Sequence, residues 1–286
     1  MGALLRTEEQ MFEKENLIEQ LGTPYTKFVV ERFKRFVFIP TEIINTLAHP
    51  ITLQENWGIG NFVLEKYLAV HIPWSIEQGH YTYSSNQFYT TAGHLQTRYG
   101  TPVYLVFEKN RIPNQQPWCI VYVGAQISAP ELPTPPEIPT PPLVPLDAEI
   151  VMLHDHILGG NACRVPFLSQ TPSVAQICAV AGAIKWSIHR GLQMAYWYFG
   201  KMNYLVPIYL QNREDITRTP DLIAPVQVNP DSLLVRTALE PYMPYANARV
   251  AVRRHDQLPS WLLDAWSEHA EGVTESQIED PEGEKP

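Results

Sequence analysis

The sequence predicts an α+β fold: a mixed or largely antiparallel sheet packed on a long central helix, with a proline-rich insertion. Three observations predict it. β-rich runs between His80 and Val123 are joined by links too short for helical crossovers, so neighbouring strands pair antiparallel. Ser173–Gly200 reads as one long helix with a broad apolar stripe. Hydrophobic residues make up 45% of the 286 and charged residues 18%, a composition that supports a packed core rather than disorder.

The elements follow in order. Residues 1–21 read as a charged, helical lead-in. Phe28, Val29, Phe33 and Phe36 recur at helical spacing among charged residues, predicting a basic amphipathic helix or a helix running into a strand near Phe36–Ile39. A short helix is expected over Thr41–Ala48, between Pro40 and Pro50. Another runs from Asn61 to about His71, where Pro73 is expected to interrupt or end it. Two short strands flank Ser84-Ser85-Asn86, and Pro102–Glu108 and Trp118–Val123 are further strands around a turn. After the long helix, Tyr204–Leu210, Leu222–Val228 and Leu233–Leu239 read as strands, Val250–Arg253 as a last short strand, and Pro259–Ser267 as a closing helix.

Between Pro130 and Pro145 lie eight prolines in sixteen residues, with Pro-Glu-Leu-Pro-Thr-Pro-Pro at 130–136 nearly repeated as Pro-Glu-Ile-Pro-Thr-Pro-Pro at 136–142. So many missing N–H groups bar it from a sheet and favour polyproline II. It serves either as a stiff surface spacer or as a ligand for a partner protein. The organisation expected is a lead-in at 1–21, one domain at 22–266 with the insertion at 129–146, and a disordered acidic tail at 267–286. Of the net charge of −9, −6 falls in Ser267–Pro286 and −3 in the rest, so total charge neither supports nor excludes a nucleic-acid partner.

The start lacks an apolar signal core, Arg6 stands where a myristoylation motif wants Ser or Thr, and no run approaches a membrane span. A cytoplasmic protein without a membrane partner is expected. Cys119, Cys163 and Cys178 are widely spaced and odd in number, predicting buried reduced thiols rather than disulfides or a zinc site.

Chemistry-bearing residues concentrate in a few places. In an extended segment His154 and His156 would share one face, the beginning of a metal site, but no third ligand is identifiable and no metal set is assigned. His156 alone is a candidate general base or hydrogen-bond donor. Gly159-Gly160 with Asn161 and Arg164 suits an anion or an ordinary turn. Lys185, His189 and Gln193 recur every four residues beside Arg190, as a cleft lining or a solvated face. Tyr242–Arg254 combines tyrosines, Asn247 and arginines that suit base stacking and phosphate, or a plain strand edge. P-loop, dinucleotide, nucleophile-elbow and zinc-protease signatures are missing from the sequence, which names no cofactor.

Several segments together resemble the bacterial domain-of-unknown-function family 3825. They are Glu55-Asn56-Trp57 with Val63–Leu68, Pro102–Asn110, His156-Ile157-Leu158 with Arg164-Val165-Pro166, and Tyr245–Arg249 with Trp261-Leu262. Some similar proteins carry this domain beside LOTUS-type or cold-shock RNA-binding modules, neither of which is recognisable here. The resemblance implies RNA or nucleotide work. Tyr89–Leu95 departs from the family's Phe-Asn-Thr-Gly-Leu pattern, and the proline-rich insertion is a second departure.

The first expectation is thus a nucleotide- or RNA-associated domain. Its pocket would draw on the Thr91–Leu95 loop including Gly93, with Arg164 and Arg249 on phosphate, Asn247 or Thr91 on base or ribose, and His156 as acid/base. The alternatives are a scaffold protein acting through a partner at Pro130–Pro145 and the acidic tail, and a metal hydrolase centred on His154, Asp155 and His156.

Overall fold

In the computed structural model the chain divides into two compact units, Met1–Ile138 and Pro139–Pro286. The structure describes residues 17, 19–21, 28–84, 86–160, 162–164, 166–168 and 170–272. The α+β class is as expected; there are two five-stranded mixed sheets, one per unit, and the division between units falls within the proline-rich segment.

The N-terminal unit begins with α1 (Val29–Phe36), which passes directly into β1 (Val37–Phe38). Phe33 is buried on its inner side, while Lys34 Nζ lies 2.6 Å from Glu65 Oε2. A short α2 (Thr41–Thr46) leads through a wide turn to α3 (Phe62–Gln78), which is followed by β2 (Thr82–Ser84), β3 (Gln87–Gln96), β4 (Pro102–Lys109) and β5 (Trp118–Gly124). The sheet order is β1-β5-β4-β3-β2, antiparallel except for the parallel pair β1–β5. α3 packs on β3 and is buried nearly all round, so it is the central helix of this unit.

Pro73 does not end α3. The ring removes one helix N–H, a cost of about 3 kcal/mol in an isolated helix, but burial of Leu68, Ile72, Trp74 and Ile76 holds the segment helical on both sides. The helix stops at Gly79, φ +80°, where the His80 N–H reaches back to the Ser75 carbonyl at 2.7 Å.

The C-terminal unit runs β6 (Glu149–Met152), α4 (Ser173–His189), β7 (Met194–Tyr198), β8 (Lys201–Ile208), β9 (Leu222–Val228), β10 (Ser232–Val235), α5 (Tyr245–Val250) and α6 (Ser260–Gly272). Its sheet order, β6-β10-β9-β8-β7, repeats that of the first unit, again with the first strand parallel to the last. Both units pack a 17-residue helix on the second strand of a four-strand meander. The two halves of the chain therefore share one topology.

Several expectations are corrected here. The long helix ends at His189, not Gly200: Gly191 adopts φ +65°, and the aromatic run Met194–Tyr198 is a strand that hairpins into β8. Only one face of α4 is buried, through Val180, Ala183, Ile184, Ser187 and Ile188, the apolar four of which pack with Val206, Ile208, Leu222, Val226 and Val235. Val250–Arg253 is not a strand, because α5 ends at Val250 and turns. Asp155–Gly160 coils as a wide helical turn, so the extended geometry that aligned His154 with His156 does not exist. Cys163 and Cys178 are exposed rather than buried. α6 continues to Gly272, into the segment expected as tail; residues 273–286, and the lead-in apart from Leu17 and Glu19–Leu21, lie outside the described residues.

Candidate functional site

The residues singled out in the sequence fall in both units. Thr91 and Gly93 lie on β3 of the first; His156, Arg164, Asn247 and Arg249 belong to the second. Thr91 is fully buried. Gly93 sits at φ +58° where the β3–β4 register shifts between Thr91 and Gln96. A Cβ at Gly93 would come within 2.7 Å of Tyr67 Oη and 2.8 Å of His71 Cγ. The bulge thus presses the β3 backbone onto α3, and the His94 N–H donates to Tyr67 Oη at 2.8 Å. Tyr67 stacks on His71 with ring centroids 4.0 Å apart, and His94 meets His71 edge-on at 5.7 Å. Of this group Gly93 and His94 lie, with Thr91, in the stretch singled out in the sequence and Tyr67 in a segment of the family resemblance; His71 lies in neither.

In the C-terminal unit, His156 is exposed and its N–H bonds the Leu153 carbonyl at 3.1 Å. Arg164 Nη1 donates to the Ala238 carbonyl at 2.7 Å. Asn247 and Arg249 are both buried in α5, which packs on β7. Asn247 Nδ2 lies 3.4 Å from Tyr196 Oη, and Arg249 Nη1 donates to the Val252 carbonyl at 3.1 Å. Arg249 is 1% exposed, so its place is inside the fold rather than on a strand edge. No group of three or more His, Cys, Asp or Glu suited to a metal ion occurs among the described residues.

On the neighbouring helix α6, Trp266 stacks on Tyr245 at 4.7 Å and His269 stacks on Tyr242 at 3.7 Å. Burial pushes the His269 imidazole below its ordinary pKa, against a smaller upward pull from Glu240. Burial likewise raises the Tyr242 phenol, with Glu240 adding to the rise and Arg164 opposing it. A histidine whose folded pKa is depressed makes the unfolded state the better proton acceptor, so stability rises with pH. We expect the stability due to His269 to be present above about pH 6.5, its unfolded value, and to be lost as pH falls through that value toward the lower folded one. Urea titrations of wild type and His269→Phe between pH 5 and 8 check this: the variant should show the flatter profile.

Aromatic and cationic groups gather at the C-terminal end of α4. Inward-facing Ile184, Ser187 and Ile188 anchor this turn, with Ser187 Oγ donating to the Pro207 carbonyl at 2.6 Å. That leaves Lys185 and His189 exposed and Trp186 half-buried at the rim. Arg190, four residues beyond Trp186, lays its guanidinium 4.0 Å from the indole centroid, and Arg213 approaches the same ring at 5.3 Å. Tyr209 meets Trp186 edge-on at 6.2 Å, with Arg218 at 5.4 Å from the tyrosine ring.

Arg213 and Arg218 arrive on a braced loop. The Asp221 carboxylate accepts the N–H groups of Leu210 and Gln211 at 2.6 and 3.0 Å, and Arg218 reaches the same carboxylate at 3.5 Å. Tyr209 Oη donates to the Ile216 carbonyl at 2.8 Å and Arg213 Nε to the Tyr209 carbonyl at 2.9 Å. Burial is the main cause that raises the Tyr209 phenol, while the nearby Arg218 opposes the rise. Asp215 is held below the usual carboxylate range, first by the Thr217 hydroxyl. Arg190 and Arg213 bond backbone carbonyls, of Trp186 and Tyr209, and neither forms an ion pair among the described residues. The polar stripe read from the sequence is therefore partly real: Lys185 and His189 share an outward face, while Gln193 lies past the end of the helix.

No family model, curated protein or solved structure matches this chain. No helix among the described residues is long and apolar enough to cross a membrane.

Proposed function

We propose that the C-terminal unit binds single-stranded RNA or nucleotides at Trp186 and the arginines laid across it. The observation that carries this reading is the pair of guanidiniums on one indole, each bonded to a backbone carbonyl and neither paired with a carboxylate among the described residues. Arginine planes stack on bases and their forks hold phosphate. The indole beneath them holds the guanidinium planes in place. Lys185 and His189, exposed on the same turn, extend the cationic rim. Part of the preference for Arg190 has a plainer origin, since a cation after a helix C-terminus complements the macrodipole. That argument does not apply to Arg213, which arrives from the loop. The resemblance to family 3825 points the same way, and a cytoplasmic location belongs to the same proposal. The reading is of binding, and no reaction is assigned.

Fluorescence anisotropy with a labelled single-stranded oligoribonucleotide tests it. Stacking worth about 1–3 kcal/mol per base makes Trp186→Ala weaken binding roughly 5- to 150-fold, with Trp186→Phe retaining most of it. An affinity unchanged by Trp186→Ala refutes the reading. The Arg190→Ala/Arg213→Ala double variant should lower the salt slope by about 1.4, at about 0.7 for each phosphate left without its guanidinium.

A further inference from the structure

The first half of the proline-rich segment lies against the N-terminal unit, and its hydrogen bonds have a period. Thr82 Oγ1 donates to the Glu131 carbonyl at 2.8 Å, Thr134 Oγ1 lies 2.8 Å from His80 Nδ1, and Gln78 holds the Glu137 backbone at both ends. In that last pair Gln78 Nε2 donates to the Glu137 carbonyl at 2.9 Å while the Glu137 N–H donates to Gln78 Oε1 at 2.6 Å. The bonded positions are 131, 134 and 137. The buried prolines are Pro133 and Pro136, again three apart. No helix or strand is formed between Gly124 and Glu149, and a period of three is the turn of polyproline II.

The receptor is equally regular. Gln78 closes α3, Gly79 turns the chain, and His80 and Thr82 follow at alternate positions into β2. Together they read a carbonyl at the first position, a threonine three residues on, and a non-proline backbone unit six residues on, with prolines at the third and sixth places turned inward. The sequence offers that pattern twice. Six residues further, Glu137, Pro139, Thr140, Pro142 and Leu143 supply the same requirements in the same order. Thr140 and Pro142 are exposed there, and Leu143 is 92% exposed.

We propose that Gln78, His80 and Thr82 form a recognition site for polyproline-II peptides of the pattern Glu-x-Pro-Thr-x-Pro-x, occupied in cis by residues 131–137. The ligand class is a proline-rich peptide with a non-proline residue at its last place, since the Glu137 N–H is one of the donors used. Tethering gives the cis segment a high effective concentration, so a peptide supplied in trans must displace it.

The test uses the full chain with a synthetic peptide spanning residues 130–143. In a Pro133→Ser/Pro136→Ser variant the strap is weakened, and titration calorimetry should show saturable binding at least about tenfold tighter than to wild type, because removing a competing bound state raises apparent affinity. Adding Gln78→Ala to that variant should abolish it. Absence of binding to a strap variant that still melts cooperatively overturns the proposal, as does binding that survives Gln78→Ala. Hydrogen exchange on the unaltered chain supplies a second reading that does not depend on the variant folding. The Glu137 amide should exchange faster as peptide is added, and an exchange rate insensitive to peptide at saturating concentration counts equally against the site.

Discussion

Gly93→Val should destabilise the N-terminal unit by about 3–5 kcal/mol, adding the strain of a β-branched residue at positive φ to overpacking against α3. Gly93 combines φ +58° with a would-be Cβ approach of 2.7 Å to Tyr67 Oη and 2.8 Å to His71 Cγ. Neither ring can retreat easily, because Tyr67 and His71 are fully buried and Tyr67 Oη accepts the His94 N–H. Gly100 separates the two contributions. It has φ +76° but nothing within 4 Å of its would-be Cβ, so Gly100→Ala should cost only the backbone strain, about 1–2 kcal/mol. Urea denaturation followed by tryptophan fluorescence measures both. Equal costs at the two glycines would show that the close approach of β3 to α3 contributes nothing.

The second large effect belongs to Asp221. Its side chain is 5% exposed, and its carboxylate accepts two backbone N–H groups and one from the Gln211 side chain while facing Arg218. Asp221→Ala leaves those donors without their acceptor, at a cost of about 2–4 kcal/mol, since bonds to a charged group and buried orphaned donors each weigh more than an ordinary hydrogen bond. The consequence reaches the proposed binding face, because the same loop carries Arg213 to Trp186. Asp221→Ala should therefore lower both the melting temperature and the affinity for single-stranded RNA. Asp221→Asn, which keeps an oxygen acceptor, should retain more of each. A variant that loses stability but binds RNA as wild type does would separate the loop from the function.

How far the fold was legible depends on where its determinants lie. β4, β5 and β9 match their expected spans closely, because apolar and β-branched residues concentrate there between clear turns. The passage of α1 into β1 was also readable. The end of α4 is masked in the sequence because the apolar stripe continues through Ala195 and Phe199, past Gly191; in the fold those residues belong to β7 and its turn. Pro73 signals a break that the fold overrides, since burial encloses α3 on both sides of it. The existence of two sheets was not legible at all. It depends on which strands pair, above all on the short parallel edges β1 and β6, and pairing leaves no local signature.

The site shows the same division. Lys185, His189 and Arg190 were visible as a polar cluster, and the spacing of Trp186 and Arg190 by one helical turn was available to read. Arg213 and Arg218 were not, because a folded loop of their own brings them to Trp186 and Tyr209. Conversely, the arginine richest in apparent promise, Arg249, is enclosed by α5 and its neighbours.

The central claim is that nucleic acid lies on the Trp186 face, and the most direct measurement is photo-crosslinking of a short single-stranded RNA carrying 4-thiouridine, followed by peptide mapping. The account predicts crosslinks on the stretches holding Trp186–Arg190 and Tyr209–Arg218, abolished together in Trp186→Ala. Crosslinks confined to other parts of the chain, or none above a duplex control, would contradict it.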